Sequence, residues 1–182
     1  MSVNLRVKTA IREYEGKHSA PGFAEIDKQL GRKTCALRLV PPSGKESSGE
    51  QLYRNCCDSV LIVAYKCNRC SKCHHASGFI ISDSGALVTS YHVLNDPKIE
   101  ILFAMSRSGQ VYGIKEVLAA NEAADLAILQ LEKAGLHPLP LNPKAGVGGA
   151  VSEDANQQKD LQMVLKICAP ASAILDMVTP LE

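Results

Sequence analysis

Two apolar segments between Ala76 and Leu94 flank the triplet Asp83-Ser84-Gly85. Apolar residues alternate through Phe79 and Ile81 and then resume at Leu87, a pattern that predicts two strands. The Asp-Ser-Gly triplet supplies the turn chemistry for a tight antiparallel connection. The second strand runs into Thr89-Ser90-Tyr91 and delivers His92 at its end. A chain built on such a hairpin is committed to antiparallel sheet, and its neighbours agree. Ser59–Tyr65, Ile99–Ala104, Gln110–Ala119 and the run from Leu126 to Leu131 are all strand-like, and Ser106-Arg107-Ser108-Gly109 is a turn between two of them. Together these predict about six antiparallel strands over Ser59–Leu141.

The last strand is preceded by Asn121-Glu122-Ala123-Ala124-Asp125, so an acidic residue stands at the entrance of a buried-looking segment. A histidine after a strand is ordinarily a surface or capping residue, and an aspartate before one is ordinarily a turn residue. In this order, and with this hairpin, the two segments resemble those of trypsin-like serine proteases, in particular the HtrA type. The resemblance runs continuously over about Ser59–Leu141. It implies a mainly β fold, a trypsin-like antiparallel β-barrel with the first barrel complete, the second truncated, and short N-terminal and C-terminal helices. It also implies His92 as general base and Asp125 as its orienting carboxylate. In such a site a carboxylate holds the imidazole in one tautomer so that the ring can take the proton of a serine hydroxyl.

The nucleophile is missing. These proteases carry it in a G-(N/D)-S-G-G segment of the second barrel, whose glycines permit the sharp turn of the oxyanion hole. No such segment occurs after Leu141. Ser152 lies between Val151 and Glu153, and Ser172 lies within Pro170-Ala171-Ser172-Ala173, neither with flanking glycines. Residues 142–182 are also about half of what a second six-stranded barrel needs. Yet Lys144–Val151 resembles the opening of that barrel. Asp160–Cys168, followed by Ala169-Pro170 and a short helical pattern through Ile174, Leu175 and Val178, resembles its closing strand and helix. The expectation is a second barrel with its middle removed near Ser152–Ala155.

The predicted organisation is therefore an N-terminal segment and linker over 1–58, a first protease barrel over 59–141, and a remnant of the second barrel over 142–182. Within the front segment, Val3–Glu15 and Phe23–Leu30 have helical character and Cys35–Val40 is a short strand. Pro41–Gly49 is a linker by composition, and Glu50–Cys57 is a helix leading into the first barrel strand. The expected protein is a family member with the base and acid of a peptide-bond hydrolase but no serine, inactive as written. Two alternatives stay open: an active endopeptidase whose full sequence holds the missing segment, and a non-enzymatic, metal-stabilised binding module.

The last alternative comes from the cysteines, of which there are seven. Three fall in the C-x-x-C-x-x-C-H-H run from Cys67 to His75, expected at a hairpin tip. Cys67, Cys70, Cys73 and His74 could close a tetrahedral structural zinc site, with Cys56 or Cys57 as substitutes. Disulfide pairing and free thiols are equally open readings of the same run. No cofactor is required by the implied catalysis. His18 and His137 are read as surface residues.

Composition narrows the partners. The hydrophobic fraction of 46% is ample for a packed core, while aromatics at 4% leave the strands to Val, Ile and Leu. A formal charge of +1 gives no electrostatic reason to expect nucleic acid. No apolar run approaches the ~20 residues of a membrane span. The charged N-terminus has no signal-peptide core, so the chain is expected to be cytoplasmic, or extracytoplasmic if N-terminally truncated. The partner implied by the resemblance is a peptide or protein substrate. An incomplete second barrel would leave apolar surface near His92, unless the tail strand Leu161–Ile167 covers it, and would favour self-association or poor solubility.

Overall fold

The computed structural model describes residues 3–14, 21–41, 49–67, 73–142 and 171–181. The predicted features at Lys144–Val151, Ser152 and Asp160–Cys168 lie outside these residues.

Six strands close an antiparallel barrel: β2 (Val60–Cys67), β3 (Cys73–Ile80), β4 (Ala86–Thr89), β5 (Ile99–Met105), β6 (Val111–Asn121) and β7 (Leu126–Leu131). Their order around the barrel is β2-β3-β4-β7-β6-β5. Closure gives each barrel strand a neighbour on both sides for at least part of its length. The β3–β4 hairpin is the one predicted from Ala76 onward, with Ile80 opposite Leu87 and Gly78 opposite Thr89. Two glycines make it feasible. Gly85 has φ +89, and a Cβ there would lie 2.2 Å from the Lys133 carbonyl oxygen. Gly78 lets strands approach closely, since a Cβ would meet the Val88 carbonyl oxygen at 2.8 Å.

The barrel interior is filled by Leu61, Val63, Tyr65, Ile80, Leu87, Leu102, Ala104, Ile114, Ala127 and Leu129. These inward positions alternate along each strand, as a sheet with one buried face requires. The outward positions are not solvated, however. Ile81, Ala86, Val88, Leu126 and Ile128 form a second core with Leu37, Ile174, Met177 and Val178. All four residues of β4 are consequently buried. The returning tail covers the outer face that carries Phe79, Ile81 and Val88.

The tail comprises the short helix α4 (Ala171–Leu175) and strand β8 (Val178–Pro180), which pairs in parallel with β1 (Cys35–Leu37). The front segment is equally engaged. Helix α1 (Val3–Tyr14) buries Val7, Ala10, Ile11 and Tyr14 against Ile62, Ala64, Phe103 and Met105 on the outside of β2 and β5. Each such side chain contributes about 1.5–3 kcal/mol when fully buried. Helix α2 (Phe23–Asp27) and the turn after it send Ile26 and Leu30 into the barrel core. Helix α3 (Gly49–Cys56) leads into β2, where Tyr53 stacks under Arg107 at 5.6 Å.

The large hydrophobic residues exposed among those described are Leu5, Val40 and Leu181. None belongs to the segments carrying His92 or Asp125, and Val93 and Leu94 beside His92 are buried.

Candidate functional site

Strand β4 ends at Thr89, and the chain turns through a short 3-10 segment, Tyr91–Val93. Val93 and Leu94 plug into the barrel core and pin this turn. His92 is thereby held at the surface while its chain neighbours are fixed inside. Across from this turn, β6 ends at Asn121 and a turn over Glu122–Asp125 leads into β7. The Asn121 side-chain oxygen accepts from the Ala124 amide at 3.1 Å, and the Asp125 amide donates to the Glu122 carbonyl at 3.1 Å. Asp125 itself sits at φ 52, the one left-handed non-glycine residue among those described. Aspartate tolerates this region better than most residues, and the conformation aims its carboxylate at the β4 turn.

The result is a doubly anchored pair. One Asp125 oxygen accepts from the His92 backbone amide at 2.9 Å. The other lies 2.8 Å from His92 Nδ1. A third link runs between the backbones, the Tyr91 amide donating to the Asp125 carbonyl at 3.2 Å. With the carboxylate as acceptor, Nδ1 carries the proton and Nε2 is left as the nitrogen able to accept one. Both side chains are open to solvent, at 69% and 52% exposure. The ion pair is accordingly a geometric device more than a source of stability. Tyr91, next to His92, has its phenol pushed up by burial and then by the negative charges of Glu122 and Asp27.

Behind the site, the Tyr65 hydroxyl donates to Asp96. Asp96 also accepts from the Lys98 amide at 2.9 Å. These bonds, the tyrosine's first, hold the Asp96 carboxyl below its ordinary value against the opposing effect of burial.

The cysteine run spans the β2–β3 hairpin, with Cys73, His74 and His75 opening β3. His74 stands opposite Tyr65 and stacks on it with ring centres 4.9 Å apart. Cys67 ends β2 and is buried in the barrel core. Cys70 and the side chain of Cys73 lie outside the described residues. Among the described residues no three His, Cys, Asp or Glu side chains are grouped to hold a metal. Ser172 is exposed on α4. His137 is exposed, as read from the sequence. No helix among the described residues is long and apolar enough to cross a membrane.

Sequence reasoning found His92 and Asp125 but not the groups that support them. Asn121 was legible in principle, because an Asn opening a polar turn commonly caps the following amides. Nothing in the local sequence marks Tyr65 as the partner of Asp96.

Residues 76–160 match the family model of the trypsin-like peptidase domain. Among solved structures, the serine endoprotease from Yersinia pestis is 24% identical, with a TM-score of 0.47, over 57% of this chain and 37% of that one. The HtrA-type protease AlgW, solved with a tripeptide, is 19% identical, with a TM-score of 0.46, over 56% of this chain and 32% of that one. The chain thus spans about a third of the length of these structures. No curated protein matches it.

Proposed function

We propose that this chain, whose residues 76–160 match the trypsin-like peptidase domain, is a serine-peptidase barrel that holds the base and acid of a triad without a nucleophile. The observation that carries this reading is the bond between His92 Nδ1 and Asp125 at 2.8 Å, on an exposed ring. That arrangement orients an imidazole to receive a proton at Nε2 and to be stabilised as imidazolium. Proton abstraction from a serine would be the productive step. No G-(N/D)-S-G-G segment occurs later in the sequence to present one. Without that hydroxyl no acyl-enzyme forms, and the chain as written does not turn over peptides. Its ligand class remains the peptide or protein segment that the family recognises.

A serine-directed fluorophosphonate and a panel of unstructured protein substrates test this. The expected result is no covalent adduct and no hydrolysis above buffer. An adduct on Ser152 or Ser172, or turnover abolished by His92→Ala, would overturn it. Intact-mass measurement of the natural protein is the second arm. A mass several kilodaltons above 19.5 kDa, with extra peptides between Val151 and Glu153, would replace the inactive reading with that of a working endopeptidase.

A further inference from the structure

The front segment reaches β6, the strand that leads into the Asp125 turn. β5 pairs with β6 over Val111–Gly113 only. The rest of β6 continues past a bulge between Val117 and Ala119 toward Asn121, paired with β7 on one side. Its other edge would present bare amides and carbonyls, which a buried strand cannot leave unpaired. Residues 29–32 supply the partners. The Val117 amide donates to the Gln29 side-chain oxygen at 2.6 Å. Arg32 Nη1 donates to the Val117 carbonyl at 2.6 Å. The Ala120 amide donates to the Arg32 carbonyl at 2.7 Å. Arg32 is itself held by Glu116 at 2.7 Å, and Ile26 and Leu30 anchor this turn in the barrel core.

From these contacts we infer that Gln29 and Arg32 are positioning residues for Asp125. The inference rests on the His92–Asp125 pair as the working part of the site. A bulge loosens a ladder and re-aims the residues beyond it. Here the bulge lies a few residues before the turn that places Asp125 at φ 52. Clamping both polar groups of Val117 and the amide of Ala120 fixes the direction in which β6 leaves the bulge. The Asn121 cap and the Glu122–Asp125 turn then inherit that direction. Gln29 and Arg32 touch neither His92 nor Asp125, so they act through β6. The N-terminal segment is on this account part of the site's scaffold and not an appendage to it.

The test reads the His92 imidazole directly, by nitrogen-15 NMR of its two ring nitrogens, in the full chain. In the unmodified protein the Nδ1–H tautomer is expected. Asp125→Asn should reverse the preference, whatever the front segment does. Arg32→Ala and Gln29→Ala should each lower the ratio of Nδ1–H to Nε2–H by about twofold or more. His74, His75 and His137 should keep their spectra. Arg32→Lys, which retains a cationic donor, should restore part of the ratio. If Asp125→Asn leaves His92 unchanged, the His92–Asp125 reading itself fails. If Asp125→Asn acts but the Arg32 and Gln29 variants do not, the positioning inference alone is overturned. A change spread equally over His74, His75, His92 and His137 would also overturn it, as a general loss of structure. Should Arg32→Ala not fold, Gln29→Ala and Arg32→Lys carry the same comparison, and an unchanged ratio in both refutes the inference.

Discussion

Asp125 grips His92 at two points, taking the backbone amide with one carboxylate oxygen and facing ring Nδ1 with the other at 2.8 Å. The histidine's main chain and ring are thus referred to the same group. A single hydrogen bond to the ring would allow the imidazole to swing about it. The second contact fixes the turn from which the ring projects.

Replacing Asp125 separates these contributions. Asp125→Asn keeps the size and the tolerance for positive φ, so its cost in unfolding free energy should stay within about 1 kcal/mol. Asp125→Ala also places an ordinary side chain at φ 52, which adds about 1 kcal/mol. Denaturant unfolding of the two variants should rank Ala below Asn. Equal stability would mean that the left-handed conformation relaxes without the carboxylate.

Gly85 and Gly135 offer a paired test of turn strain. Both have positive φ, but a Cβ on Gly85 would meet the Lys133 carbonyl oxygen at 2.2 Å, whereas one on Gly135 meets nothing within 4 Å. Gly135→Ala should cost about 1–2 kcal/mol from backbone conformation alone. Gly85→Ala must add the displacement of backbone and should cost clearly more. Comparable midpoints in urea would contradict the close contact.

The docking of the tail is checked at Ile174 and Leu181. Ile174 is 2% exposed in the core it shares with Val88 and Ile128. Ile174→Ala should cost about 2–5 kcal/mol. Leu181, at 53% exposure, should change stability by about 0.5 kcal/mol or less on the same substitution. Thermal unfolding of both variants distinguishes a docked tail from a loose one.

Alkaline stability should depend on Tyr14. Burial first, and the Glu132 charge second, push its hydroxyl up from 10.0 to about 12. The folded state therefore retains the phenolic proton more tightly than the unfolded chain. This contribution is complete below pH 10 and is lost as the pH rises toward 12. Tyr14→Phe should flatten that part of the stability profile. An unchanged slope between the two proteins would argue against a buried hydroxyl.

Acid stability should depend on Asp96 in the opposite sense. Its pKa is lowered, chiefly by the Tyr65 hydroxyl. Its contribution is present above the ordinary value of 3.8 and is lost as the pH falls through the lower folded value. Tyr65→Phe should weaken the acid limb while leaving neutral stability less affected than a core truncation would. The measurement is unfolding free energy as a function of pH in both proteins.

Much of the barrel was legible because it rests on local rules. Strand periodicity is set by alternating side chains, and Asp83-Ser84-Gly85 has few options but to turn. The pairing of His92 with Asp125 was legible only through resemblance, since no local rule brings residues on separate hairpins together. The cysteine run reads as a hairpin tip because it lies between two strands, and the ladder between β2 and β3 carries His75, His74 and Cys73 up to that connection.

By itself, then, the sequence determined the antiparallel strands, the turn at Gly85, the family resemblance and the lack of a G-(N/D)-S-G-G segment after Leu141. The tertiary structure alone decided which strand faces are dry. It brought α4 and β8 over β4, set α1 against Phe103, and laid Gln29 and Arg32 along β6. The physical reason is that periodicity reports which side chains avoid water. What covers an outer face, or completes an unpaired strand edge, depends on segments far away in the chain and is settled only when the fold closes.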